Sequence, residues 1–247
     1  MNSARAAQLL EINRRFYLEH GTDFADTRQR IQPGVRRVLQ SLRTHDTILD
    51  LGCGSGAFAQ ALSQNGHRGH YLGLDFSAPA VERASRGRYE FPASFLEADL
   101  TAPDELQTLI EASTGDETRQ GWAVIVAFAV LHHIPDRRLR LGLLEQARGW
   151  MRADGTFILS NWQFTANSRV RSRIRPWSTA GLNEKDVDPG DYLVEWRRGG
   201  MGIRYVHEFG EGELAELAEA SGFKLEGSFV SDGADHRSGL YQIWRPA

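Results

Sequence analysis

Along the middle of the chain, short apolar runs alternate with amphipathic stretches. Thr47–Leu51, His70–Leu74, Ser94–Ala98, Trp122–Phe128 and Thr156–Asn161 are short, mainly apolar runs, mostly bounded by Gly, Asp or Pro. Such runs read as strands buried on both faces. Between them, Ala57–Asn65, Ala78–Gly87, Pro103–Glu111 and Asp136–Met151 place Leu, Val and Ala at helical spacing. Strands alternating with helices predict right-handed crossovers and a mainly parallel sheet. Glu211–Ser221 then reads as a helix, and Phe223–Ser231 and Gly239–Arg245 as two strands joined by a polar turn. The expectation is an α/β fold of seven strands, six parallel and one antiparallel, with helices on both faces, forming one domain over residues 1–247.

Two segments fall outside the alternation. Residues 1–44 read as a helical N-terminal extension whose apolar face is Leu9, Leu10, Ile12, Phe16 and Tyr17. Residues 163–208 form a long connection rich in Arg, Gly and Trp. A connection of that length inside a compact domain reads as a substrate lid.

Composition narrows the function classes. The 41% hydrophobic and 25% charged residues are those of a globular protein. A net charge of −3 gives no global pull toward polyanions, so any nucleic-acid contact must come from a local patch. One cysteine excludes an internal disulfide and a cysteine-rich metal site. No apolar run reaches membrane-spanning length, and Met1 to Leu10 is too polar for a signal peptide, so the expected setting is cytoplasmic, with no membrane partner.

The candidate chemistry begins after the first strand, at Asp50-Leu51-Gly52-Cys53-Gly54-Ser55-Gly56. Glycines let the backbone turn sharply and let a ligand approach where a Cβ would block it, and a helix N-terminus then offers free amides. Gly52, Gly54 and Ala57 also satisfy the dinucleotide fingerprint, with Asp75 where a ribose-binding acid is expected. The turn alone therefore leaves nicotinamide and other nucleotide cofactors open.

The neighbouring residues carry a resemblance. Ile48-Leu-Asp-Leu-Gly-Cys-Gly-Ser-Gly56, Tyr71-Leu-Gly-Leu-Asp-Phe-Ser77, Phe95-Leu-Glu-Ala-Asp-Leu100 and Val124-Ile-Val-Ala-Phe-Ala-Val-Leu-His-His133 resemble, in order, the motifs of class I S-adenosylmethionine-dependent methyltransferases, which have a Rossmann-like fold. The resemblance implies S-adenosylmethionine as cofactor, bound by Asp50, Gly52, Gly54, Gly56, Asp75, Phe76, Ser77, Asp99, Leu100 and Phe128. Asp75 would take the ribose hydroxyls, Asp99 the adenine amino group, and Phe76 the purine face. Asp50 would orient the turn or the methionine ammonium. As a residue type, Asp99 also suits an N-cap of the next helix.

The fourth strand lacks the Asn/Asp-Pro-Pro-Tyr cluster found in enzymes that act on amide or adenine nitrogens, which leaves an oxygen acceptor. His132 and His133 are adjacent, with no third ligand at helical spacing, so no metal is expected. One faces the site and the other packs; His133 is the candidate for orienting the acceptor or removing its proton. Tyr17 with Phe24-Ala-Asp-Thr-Arg28, the His pair, Asp191-Tyr-Leu-Val-Glu-Trp196 and Arg204-Tyr-Val-His207 resemble the tRNA wobble-uridine carboxymethyl methyltransferases. That resemblance implies that Tyr17 covers and binds the cofactor, while Arg28 and His133 face the acceptor. Arg204, His207 and Trp196 would bind it, with guanidinium groups holding its carboxylate. Glu195 stands where that family has Pro before the tryptophan, and Gln29-Arg-Ile-Gln-Pro33 where it has Pro-Trp.

Arg169-Val-Arg-Ser-Arg-Ile-Arg-Pro-Trp177 offers four arginines for phosphate and a tryptophan for a base; a solvated charged face is the alternative reading. The stretch Glu208–Glu226 is acidic, so a tRNA acceptor implies an activating partner subunit. A small-molecule acceptor is the other expectation.

Overall fold

The computed structural model describes residues 1–26, 30–113, 115–197 and 200–247. The central sheet is built from β1 (Ile48–Leu51), β2 (Tyr71–Asp75), β3 (Ala93–Glu97), β4 (Trp122–Phe128), β5 (Met151–Trp162), β9 (Phe223–Ser231) and β10 (Gly239–Pro246). Its order is β3-β2-β1-β4-β5-β10-β9. β10 runs against β5 and β9, and the others share one direction, as the sequence pattern predicts.

The alternation of side chains divides each central strand between two cores. Leu49 and Leu51, Leu72 and Leu74, Ile125 and Ala127, and Phe157 and Leu159 face α5 (Pro103–Ala112), α6 (Arg137–Trp150) and α8 (Glu211–Ala220). Ile48, Tyr71, Val124, Val126 and Ile158 face α2 (Pro33–Leu39) and α3 (Ala57–Gln64). Burial on both faces is why these strands read as continuous apolar runs. α4 (Ala78–Ser85) packs along β2 and β3.

β5 starts five residues earlier than its apolar pattern indicates. Met151 pairs with Trp122, the register then shifts, and pairing resumes at Thr156 with Val124. Arg152, Ala153 and Asp154 fall between the two points, where the register is irregular, and the two charges hide the strand's start from a periodicity reading.

Residues 163–208 are more ordered than a loop. They contain α7 (Ser168–Arg171) and a second, antiparallel sheet of β6 (Ile174–Arg175), β7 (Asp191–Trp196) and β8 (Gly202–His207). Its two ends are stapled together. The Glu208 carboxylate accepts from the Phe164 and Thr165 amides at 2.6 and 2.7 Å. α1 (Ser3–Asp26) lies along β8, with Leu9 and Phe16 fully buried. Among the described residues, no helix is long and apolar enough to cross a membrane.

Candidate active site

In the sheet order, the chain leaves β1 in opposite directions toward β2 and β4. A crevice opens at the carboxyl ends of the strands at such a point. Here it is a cavity of about 280 Å³, near the lower end of the range for small-molecule sites. The glycine turn forms its floor. Gly52 and Cys53 donate their amides to the Leu74 carbonyl at 2.7 and 2.9 Å, tying the turn to the end of β2. Gly52 has φ +86, and a Cβ there would lie 2.3 Å from Val130 Cγ2, so only glycine fits. Gly54, with φ +53, has nothing within 4 Å of that position and leaves the wall bare on the cavity side. Gly56 is the left-handed N-cap of α3 and is not part of the lining.

Asp75 ends β2 and holds the turn. Its two oxygens accept from the Gly54 amide at 2.8 Å and the Ser77 amide at 3.0 Å. Each oxygen keeps a second lone pair, the pair of acceptors that two ribose hydroxyls require. Burial raises its carboxyl above the ordinary range, against the two amide hydrogen bonds that lower it. Asp99 sits beside Leu100 on the same wall. One of its oxygens accepts from Thr101 N and Oγ1 at 2.9 and 2.7 Å, and the other from Arg14. Burial opposes its ionisation, but the Thr101 and Arg14 hydrogen bonds outweigh that and hold the carboxyl below the ordinary range. Asp99 thus caps its own turn and also lines the cavity. Phe76, Ser77 and Phe128 complete the lining on this side.

Asp50 is not at the cavity surface. It lies on the α2–α3 side of β1, 2% exposed, and accepts from Tyr71 Oη at 2.5 Å. Burial pushes its carboxyl up to about 7, although the Tyr71 hydrogen bond lowers it. Strand alternation points this side chain into the apolar layer beneath the turn.

The roof is α1. Leu10, Asn13, Arg14, Tyr17 and Gly21 all line the cavity, a single helical face by their spacing. Of these, only Tyr17 carries a site assignment from sequence. Stepping three and four residues from Tyr17 would have found the others, but Asn13 and Arg14 belong to no motif. Tyr17 Oη lies 3.1 Å from His133 Nε2, and its ring meets Phe76 edge-on with centroids 5.3 Å apart. His133 Nδ1 lies 3.4 Å from the Tyr205 carbonyl. His132 is 3% exposed and accepts from the Trp162 amide at 3.4 Å; both histidines contribute to the wall. Ala129, also in the lining, has φ +57 and donates its amide to Ser160 O and Oγ. That kink at the end of β4 turns the His pair toward the roof.

Of the acceptor residues expected from sequence, His133 lines the cavity, whereas Arg204, Trp196 and His207 do not. Arg28 lies outside the described residues. Arg204 is buried, with its guanidinium 5.0 Å from the Trp162 ring and 5.7 Å from the Phe16 ring, and it is not in the cavity lining. Trp196 packs edge-on against Phe16. His207 departs furthest from a clamp role. Its Nδ1 meets Asp191 at 2.7 Å and its Nε2 meets Glu213 at 3.0 Å, so neither nitrogen is left for a substrate. The alternation of β8 sends it into the interior between α6 and α8. Trp177 is partly buried and packs against Leu9, Leu182 and Tyr205. Arg175 pairs with Glu195, while Arg169 and Arg171 are exposed.

A family model described as a methyltransferase domain matches residues 24–228. A protein of Encephalitozoon cuniculi that carries a methyltransferase name is 30% identical over 85% of this chain and 86% of its own length. The tRNA (carboxymethyluridine(34)-5-O)-methyltransferase of Schizosaccharomyces pombe is 24% identical over 89% of this chain and 90% of its own. The mammalian proteins named tRNA methyltransferase 9B match less of this chain, which spans about a third of their length. Among solved structures, the 1,6-didemethyltoxoflavin-N1-methyltransferase of Burkholderia thailandensis, with bound S-adenosylhomocysteine, superposes with TM-score 0.62. It shares 18% identity over 98% of this chain and 88% of that one, a similarity of fold.

Proposed function

Because the chain belongs to the methyltransferase domain family, we propose that it transfers a methyl group from S-adenosylmethionine to an oxygen, and that this oxygen is a carboxylate on a modified wobble uridine of tRNA. The observation that carries the reading is the cavity, which gathers the glycine turn, Asp75 and Asp99 on one wall and the Tyr17–His133 pair under the roof. The residues suit the cofactor. Asp75 would hold the ribose hydroxyls, Asp99 would take the adenine amino hydrogen, and Phe76 would pack on the purine. When bound, the cofactor supplies a methyl group on a positively charged sulfur, ready for in-line displacement.

The chain's own part is then to position and to exclude water. α1 closes the site from above, and Tyr17 and His133 bound the end toward the acceptor. A carboxylate acceptor is ionised at neutral pH and needs orientation more than a base. The wobble-uridine reading draws its support from the fission yeast relative's name and from the Tyr17, His-His and Arg204-Tyr-Val-His207 motifs. Arg28 is proposed to bind the acceptor carboxylate, and tRNA binding is proposed to involve a partner subunit.

Transfer of labelled methyl to total tRNA, compared with a small-metabolite extract, tests this directly. The expected product is tRNA whose label is released by alkali, as an ester requires. Alkali-stable label on tRNA, or label only in the small-molecule fraction, overturns the carboxylate reading. Failure to bind S-adenosylmethionine in a calorimetric titration overturns the whole proposal.

A further inference from the structure

Asn13 is a buried amide in the middle of α1, 5% exposed, on the face that lines the cavity. Asn is a weak helix former because its side chain competes for backbone hydrogen bonds. Here both halves of the amide are used outside the helix. Nδ2 donates to the His133 carbonyl at 3.1 Å, and Oδ1 accepts from the Tyr205 amide at 2.8 Å. The carbonyl of that same Tyr205 faces His133 Nδ1 at 3.4 Å. Asn13, Tyr205 and His133 thus close a ring of three hydrogen bonds across three elements. Tyr205 is itself fixed, its hydroxyl donating to Asp191 at 2.6 Å and accepting from Arg140 at 3.0 Å.

A carbonyl oxygen only accepts, so Nδ1 carries the hydrogen there. In the neutral ring, Nε2 is then an acceptor, and Tyr17 Oη at 3.1 Å is its donor. We infer that Asn13 is a positioning residue: by holding His133 and Tyr205 in register, it sets the His133 ring with its Nε2 lone pair toward the cavity. The inference rests on the reading that His133 faces the acceptor. A ring so held receives a hydrogen bond when neutral and donates one to a carboxylate only after protonation.

The test uses the full chain with labelled histidine, His133→Gln to assign the ring signals, and Asn13→Asp, Asn13→Ala and Asn13→Gln. Long-range nitrogen–proton spectra report which ring nitrogen carries the hydrogen. The wild type should show it on Nδ1. Asn13→Asp keeps an acceptor for the Tyr205 amide but sets a carboxylate against the His133 turn, so the ring's titration should move to higher pH. Its turnover in methyl transfer to total tRNA should fall by on the order of tenfold, with the dissociation constant for S-adenosylmethionine changed by less than about threefold. Asn13→Gln, which retains both amide groups, should recover part of the loss.

A wild-type ring carrying its hydrogen on Nε2 overturns the inference. So do ring signals in Asn13→Asp and Asn13→Ala that match the wild type, even if both variants melt early, because Asn13 would then serve only packing. Ring signals that change while methyl transfer is unaffected leave the hold on His133 standing and instead overturn its placement at the acceptor.

Discussion

Asp50 shows how one residue can belong to a motif and still act away from the ligand. Its carboxyl is buried against Tyr71, and its proton is retained up to about pH 7, compared with 3.8 ordinarily. Between those values the folded chain holds a proton that the unfolded chain has lost, so stability falls as pH rises through the window. Asp50→Asn keeps an oxygen for the Tyr71 hydroxyl and has no charge to bury. Urea titrations at a series of pH values should show its stability profile flattened across the window by on the order of 4 kcal/mol relative to wild type. Unchanged pH sensitivity would show that Asp50 ionises in the native state as it does in the unfolded chain, so that its burial costs no proton uptake. At this scale the sequence singles out residues that the fold brings together: Asp75, Gly52, Gly54, Tyr17 and His133 all line the cavity. It does not reveal Asn13 or Arg14, since an amide and a guanidinium on an amphipathic helix look like an ordinary solvated face.

At the scale of elements, α1 is a roof held by polar links as well as by packing. Arg14 is half-exposed and reaches Asp99, the acid assigned to adenine. An ion pair so exposed is worth under about 1 kcal/mol, so Arg14→Ala should scarcely change the melting temperature. The link does tie the roof to the end of β3, across the proposed adenine pocket. Arg14→Ala is therefore expected to bind S-adenosylmethionine faster in stopped-flow mixing, with α1 amides exchanging hydrogen sooner. Slower association would mean that Arg14 attracts the cofactor rather than latching the roof. The insertion illustrates the limit of pattern reading for elements. Its β7 and β8 pair from Asp191 with His207 to Trp196 with Gly202, yet its Arg and Gly content resembles a loop. Only the partner strand, α1 and the Glu208 staple make those residues a sheet.

Across the whole molecule, the small sheet is joined to the central fold by a buried charge network. Arg140 of α6, 1% exposed, donates to the Ile134 carbonyl at 2.8 Å and to Tyr205, and faces Asp191 at 3.7 Å and Glu213 at 3.3 Å. His207 bridges Asp191 and Glu213. Burial alone would lower its pKa, but the two carboxylate hydrogen bonds outweigh that and raise it. With His207 protonated, two cations balance two anions, the condition for tolerating charges at this depth. A raised native pKa means a contribution to stability that is complete below the ordinary value of 6.5 and is lost as pH rises through the higher native value. Stability should therefore decline on the alkaline side, and His207→Gln should flatten that slope. Hydrogen exchange in β7 and β8 should rise with pH in the wild type but not in the variant. A slope equal in both would place the pH sensitivity elsewhere.

The order of strands and helices, the antiparallel end of the sheet and the residues of the glycine turn were determined by the sequence alone. They depend on local periodicity and on backbone conformations that few residues adopt, and both leave marks along the chain. The tertiary structure decided which polar residues face the cavity and which support it from behind. Arg204-Tyr-Val-His207 reads as one binding motif, but a strand sends alternate side chains to opposite faces. His207 thus pairs with Asp191 and Glu213 in the interior. Asn13, with no motif at all, meets His133 and Tyr205 across 120 and 192 residues of chain. Contacts between such distant positions follow from how the elements pack, and no spacing along the sequence records them.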